Sequence, residues 1–326
     1  MSVAGLQIPA TTLAPAPAPS RRRRFRWLEP LLHNPKALVG VGILIVMVGA
    51  AVLAPWIARY KPTDFVDLPH LAPSRAHWFG TEGQGKDVFS QTVWGGRITL
   101  RNGFTVGILA TMAGAIIGMS AGYFRGKIDD ALSLFINIFL IIPSLPLLVV
   151  LSAFIPSGNT YFVIVLTLTG WAWPARIFRS QMLSLREKDF VSAALVSGEN
   201  SRRIIFSEIL PNMSSIMVAS LLGSTVYAIG AESGLEFLGL GDISRVTWGT
   251  NLYWASNNAG LLTGAWWTFV PAGLCIAVVA FSLVMVNYAM DEITNPRIRS
   301  LSEAKNALKA YARQTRRDAR AAEHGV

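Results

Sequence analysis

Charge, histidine and cysteine are all scarce in this chain, and each scarcity excludes a class of protein. Only 15% of the 326 residues are charged while 52% are hydrophobic, a balance far to the apolar side of a soluble domain. A single cysteine, Cys275, rules out an intrachain disulfide. The four histidines, His33, His70, His77 and His324, form no i, i+4 pair and have no cysteine nearby. No metal site is expected from them, and as single loop residues they read as solvated surface. The G-x-S-x-G letters at 118–122 fall inside a long uncharged run instead of at a strand-to-helix elbow, and no H-E-x-x-H helix occurs, so no hydrolytic centre is expected of this chain. Acidic residues are outnumbered, 19 against 29 lysines and arginines, for a net charge of +10. Anionic lipid headgroups account for that excess without nucleic acid.

What is present is long uncharged runs. A span needs roughly 20 apolar residues to cross about 30 Å of hydrocarbon. Residues 37–57, 102–124, 213–231 and 266–290 meet that length. The stretch 131–175 is uncharged for two spans' worth, broken by Pro156, Ser157, Gly158 and Asn159, and reads as a helical hairpin. A soluble core would show strand alternation or amphipathic helices instead. The expected fold is an all-α polytopic membrane protein with six transmembrane helices. With the N-terminus inside, 22 of the 29 basic residues fall on the inner side, which favours two cytoplasmic termini. Residues 2–20 are Ala/Pro/Thr-rich and read as disordered, and the tail from Ser300 is polar and basic.

Residues 80–87, GTEGQGKD, fit the phosphate-loop pattern up to its last position, where Asp87 replaces the hydroxyl that would hold magnesium. ATP binding there is rejected. Glu232, Asp291 and Glu292 lie at the ends of expected spans and are assigned to the water interface, which leaves no central charge for an ion relay. In the second span Gly103, Gly107, Thr111, Gly114, Gly118 and Gly122 recur at steps of three or four, a smooth face suited to close helix packing. Pro143 and Pro146 in the third span and Pro174 near the end of the fourth can open kinks.

Between the fourth and fifth spans lies a polar segment longer than a connection requires. A loosely amphipathic helix is expected over 185–196, broken by Gly198. Asn200 or Ser201 can cap a second short helix with Ile204, Ile205, Ile209 and Leu210 on one side, Arg202 and Arg203 exposed, and Pro211 as its end. Such a segment is suited to lodging in a partner's groove.

Here the sequence resembles the inner-membrane permease subunits of binding-protein-dependent ATP-binding-cassette importers. Their signature reads E-A-A, three residues, Gly, nine residues, I-x-L-P, and Ala193, Ala194, Gly198, Leu210 and Pro211 fall at matching positions. Ser192 stands for the Glu and Glu208 for the first Ile. The stretch 80–100, GTEGQGKDVFSQTVWGGRITL, is similar to the dipeptide/oligopeptide branch, with Glu82 and Lys86 as conservative changes and Gln91 for an Arg. YFRGKIDD, SLREKDFVSAA, AESGLEFLGLG, TWGTNL and DEITNPRIR extend the likeness from Pro35 to Arg299.

The resemblance implies a type I importer permease fold in a prokaryotic inner membrane. It divides the chain into a disordered basic cytoplasmic N-terminus (1–36), a first transmembrane helix (37–58), an extracytoplasmic segment (59–100), a permease core (101–291) and a cytoplasmic tail (292–326). Coupling helices are expected at 185–211. The implied partners are a second homologous permease, two cytoplasmic ATPases and an extracytoplasmic binding protein that docks on 59–100 and 233–265. ATP and magnesium would sit on the ATPases and no cofactor on this chain. Peptides are the implied cargo, with oligosaccharides or nickel as alternatives, and an ion-coupled secondary transporter is the rival class.

Overall fold

The computed structural model describes residues 34–154 and 158–294, with side chains as far as Met290. The N-terminal arginine cluster, His33, His324, Pro156, Ser157 and the basic tail lie outside the described residues. Helices are the regular elements of the described chain, and the only β feature among the described residues is an isolated bridge between Thr81 and Asp87.

Helix α1 (Pro35–Val52) starts on Asn34, whose side chain accepts from Lys36 N, and breaks at Leu53 before the short α2 (Ala54–Ile57). Helix α3 (Val88–Phe124) has 37 residues, about 55 Å, so it outreaches the hydrocarbon core. It begins 14 residues before the uncharged run at 102, because Asp87 caps it. The third and fourth spans are each bent. Helices α4 (Gly126–Ile141) and α5 (Ser144–Phe154) meet at 86° around Pro143, and α6 (Asn159–Gly170) and α7 (Ala172–Arg186) at 41° around Trp171. The fourth-span bend therefore precedes Pro174, which sits in the first turn of α7, where a missing N–H costs nothing. Next come α8 (Asp189–Val196), α9 (Ser201–Phe237), α10 (Trp248–Asn257) and α11 (Val270–Thr294).

Four helices are long and apolar enough to cross a membrane, and six crossings result when each bent pair counts as one. The contacts support the pairs as crossings. Arg186 lies over the Tyr123 ring, so the end of α7 meets the end of α3, whereas Asn159 at the start of α6 bonds Asn102 far back along α3. Asp129 and Arg179 form a bidentate pair, Nε–Oδ1 2.5 Å and Nη2–Oδ2 2.8 Å, that ties α4 to α7.

Helix α3 is the central post. Added Cβ atoms at Gly103 and Gly107 would strike α9 at Ile229 and Thr225. Those at Gly114, Gly118 and Gly122 would meet α7 at Pro174, Ala175 and Met182. The glycine face is thus filled by two helices of the same chain, with no room for a side chain at the crossing. Helix α11 packs on α9, and α1 packs on α11 and α3, around Leu222, Ile229, Val279 and Leu283.

Candidate functional site

The helix corner at one end of the bundle is built by Gly198. Helix α8 ends with the Glu199 N–H bonded to the Ala194 carbonyl and the Gly198 N–H to that of Leu195, a Schellman closure whose left-handed residue is Gly198 at φ +78°. Nothing lies within 4 Å of an added Cβ there, so the chain demands glycine for the backbone angle, not for space. The Ala193 carbonyl accepts the Ser197 hydroxyl at 2.9 Å. Asn200 then caps the next helix by accepting from Arg203 N at 2.8 Å.

Two expectations about this segment are corrected. Leu185 belongs to α7, and the helix after it starts at Asp189, since a turn at Glu187 and Lys188 separates them. Nor does Pro211 end the second helix. Six residues, Ile204–Ile209, widen into a π-turn, Leu210 N–H reaches back to Ile205 O, and the chain runs on as one helix to Phe237. The wider turn clears the proline ring from the preceding carbonyls, which a regular α-turn would bring into collision. Asn212 Nδ2 donates to the Glu208 carbonyl at 2.7 Å.

Inward, the corner rests on a core of Val191, Ile204, Ile209 and Met213 against Phe178, Met182 and Tyr123, with Ala194, Ile205 and Leu210 packed on its edge. Outward it leaves Ala193, Leu195, Val196, Arg202 and Phe206 exposed, with Val196 at 90%. Arg203 pairs with Glu199 at 2.9 Å on the rim. An apolar centre ringed by arginines is a surface built to meet another protein.

Above the corner a cavity of about 670 Å³ opens where the bent pairs break, between Pro143, Trp173 and the 216–227 face of α9. Its lining carries hydroxyls and an amide (Ser144, Thr169, Ser220, Ser224, Tyr227, Asn287) and no charged side chain. Asn287 Oδ1 has no hydrogen-bond partner among the described residues.

Comparison with known proteins gives these features a family. The model described as binding-protein-dependent transport system inner membrane component matches residues 114–300, more than half of the chain, including the corner and the cavity. The chain belongs to that family. A second model, the N-terminal TM domain of oligopeptide transport permease C, matches residues 23–73 of this permease. Among relatives, the oligopeptide transport system permease protein OppC of Bacillus subtilis (strain 168) is 32% identical over 289 residues, covering 86% of this chain and 92% of its own. The dipeptide transport system permease protein DppC of the same organism is 31% identical, covering 82% of this chain and 84% of its own. A putative peptide permease protein of Brucella suis biovar 1 (strain 1330) is 34% identical, with coverages of 86% and 91%. The all-helical permease fold implied by the resemblance is the one observed.

At its other end the permease carries a built layer that the sequence did not disclose. Asp87, the residue that spoils the phosphate-loop pattern, caps α3 by accepting from Ser90 N at 2.8 Å and Ser90 Oγ at 2.7 Å. It also faces His77 Nδ1 at 3.0 Å. His77 is 3% exposed, so the expectation of a solvated histidine is overturned: the ring is enclosed by Tyr60, Asp67 and Asp87. Glu82 accepts from Asn258 Nδ2 at 2.9 Å and Trp267 Nε1 donates to the Thr81 carbonyl at 3.3 Å, so 80–87 is clasped to the 248–268 region. Beyond α9, Asp242 accepts from the Ser244 hydroxyl and from Arg245, which hold its carboxyl below the usual carboxylate range.

Glu232 is the second correction at this end. It is 1% exposed and accepts from Asn102 Nδ2 at 2.5 Å, rather than meeting water. One turn on, Glu236 accepts from the Thr247 hydroxyl at 2.5 Å. The side chains of Asp291 and Glu292 lie outside the described residues.

Proposed function

We propose that this permease is one half of the translocation pathway of an ATP-driven, binding-protein-dependent peptide importer. A second homologous permease would complete the pathway, two cytoplasmic ATP-binding subunits would hydrolyse ATP with magnesium, and an extracytoplasmic binding protein would deliver cargo to the 59–100 and 233–265 layer. The peptide cargo is supported by the relatives, whose names assign them to oligopeptide, dipeptide or peptide transport. An uncharged cavity lining suits peptides, which share a backbone but not a side-chain charge.

The observation that carries the coupling role is the exposed corner. Ala193, Gly198 and Val196 project beyond the bundle at the end from which α1 and α9 start, and Arg202 and Arg203 flank them. In the proposed orientation this end is cytoplasmic, as are both termini. Closure of the ATPases would push the corner, and α9, helical without interruption from Ser201 to Phe237, would carry the displacement about 50 Å to Glu232 and Glu236. On the way it passes the cavity at Ile216 and Tyr227. The two-state equilibrium between inward-open and outward-open forms would thus be biased at one end and read at the other.

Gly198→Trp tests the docking. The variant is expected to reach the membrane in normal amount, lose co-purification of the ATPase subunits and abolish peptide uptake. Normal co-purification would refute the docking role. Gly198→Asn separates backbone from bulk, since Asn tolerates the left-handed region. It is expected to keep α8 folded while weakening ATPase association.

A further inference from the structure

A groove of about 790 Å³ runs between the last turns of α1, the first half of α3 and the loop at 244–246. One wall is apolar, formed by Val48, Val52 and Phe104. The other carries Arg97, Arg101 and Arg245, and no acidic residue lines the groove. Arg245 is held by Asp242 at 2.9 Å, but Arg97 and Arg101 have no carboxylate within salt-bridge distance among the described residues. Arg97 instead lies 4.8 Å from the centroid of the Trp94 ring, which fixes it along the groove.

The level of these arginines in the bilayer follows from α3 itself. The uncharged run from Asn102 to Phe124 has 23 residues, about 34 Å of helix, which fills the hydrocarbon core. Arg101 and Arg97 are the first charges before that run and lie at the headgroup boundary. On the same side, α1 ends at Val52 and the uncharged run it belongs to closes before Arg59. Trp94, one turn before Arg97, is the residue type that favours this interface. The groove therefore has its apolar wall toward the hydrocarbon and its cations toward the phosphates. Arg97 and Arg101 are both exposed, and at a headgroup boundary a guanidinium matches phosphate oxygens in a bidentate fork.

We propose that this groove binds an anionic phospholipid of the surrounding bilayer, its phosphate on Arg97 and Arg101 and an acyl chain along Val48, Val52 and Phe104. The two cations act on the headgroup charge, while the apolar wall excludes a free phosphate ion as the preferred ligand. Occupancy would brace α1 against α3 at the end opposite the helix corner.

The test uses the full chain purified in detergent and equilibrated with equal palmitoyl-oleoyl phosphatidylglycerol and phosphatidylcholine, with the retained lipid counted by mass spectrometry. Phosphatidylglycerol is expected to exceed phosphatidylcholine by about fivefold for each engaged arginine. Arg97→Gln/Arg101→Gln is expected to abolish the preference. Val52→Trp narrows the groove without changing charge and is expected to lower retained phosphatidylglycerol as well, which keeps the test available if the double variant fails to insert. Equal retention of the two lipids by the wild-type chain overturns the proposal, as does unchanged preference in the arginine variant or unchanged phosphatidylglycerol retention in Val52→Trp. Displacement of phosphatidylglycerol by a neutral tripeptide would assign the groove to cargo instead. Its loss when a second permease co-purifies would assign the groove to a protein interface. Either result overturns the lipid site, and failure of the import reading would show in uptake, which these lipid counts do not measure.

Discussion

Glu232 holds a carboxyl inside the bundle with one oxygen on Asn102 and the other, Oε2, without a hydrogen-bond partner among the described residues. Asn102 in turn exchanges two hydrogen bonds with Asn159, at 2.8 and 2.9 Å, so three helices meet on one amide. Deleting one partner of a buried polar pair leaves the other desolvated and unsatisfied, whereas replacing both by apolar groups can be nearly neutral. Asn102→Leu is therefore expected to cost about 2 to 3 kcal/mol in unfolding of the purified chain. The double variant Asn102→Leu/Glu232→Met is expected to recover more than half of that loss. Additive costs within about 0.5 kcal/mol would show that the two side chains do not act as a pair. Residues that work through local grammar were legible in the sequence, as Gly198 and Asn200 were at the helix corner. Glu232 was not, because its partner lies 130 positions away and only the tertiary fold reveals that the end of α9 is enclosed. His77 escaped for the same reason, since the side chains that enclose it belong to an irregular layer without periodicity.

Among elements, α3 distinguishes glycines that pack from those that do not. An added Cβ at Gly118 would collide with the backbone of Ala175 in α7, and a backbone cannot swing aside. Gly230 on α9 has nothing within 4 Å. Gly118→Leu is expected to lose about 3 kcal/mol or more in detergent unfolding, through forced separation of α3 and α7. Gly230→Leu in the same isolated chain is expected to stay within about 0.5 kcal/mol of wild type. Equal effects at the two sites would mean that helix propensity, not the crossing, sets the outcome. The spans themselves were readable, because absence of charge over 18 or more residues is a strong signal. Their ends were less so. The first 14 residues of α3 contain Arg97 and Arg101 and look extramembranous, yet Asp87 caps them into the same helix and Trp248 packs on them through Thr92. At Pro211 the proline rule is local and correct for an α-turn, while the chain evades it by widening one turn.

Across the whole molecule, the two ends are chemically opposite. One carries the helix corner, where α1 and α9 begin, and the other a clasped layer of loops between 59–87 and 238–268. The charge count that put 22 basic residues on the corner side predicts which end faces the cytoplasm, and the chain's lone cysteine makes this measurable. In a Cys275→Ser background, Val196→Cys and Leu262→Cys place single thiols at opposite ends, and both parent residues are 90% exposed, so differences in labelling report side and not burial. A membrane-impermeant maleimide added to spheroplasts is expected to label Leu262→Cys directly and Val196→Cys only after permeabilisation. The reverse pattern would invert the permease and withdraw the corner from any cytoplasmic ATPase while leaving the fold untouched. Labelling of both sites from one side would be a heavier result: α9 and its neighbours could then not cross the bilayer, and the lever from Ser201 to Phe237 would have no membrane to act across.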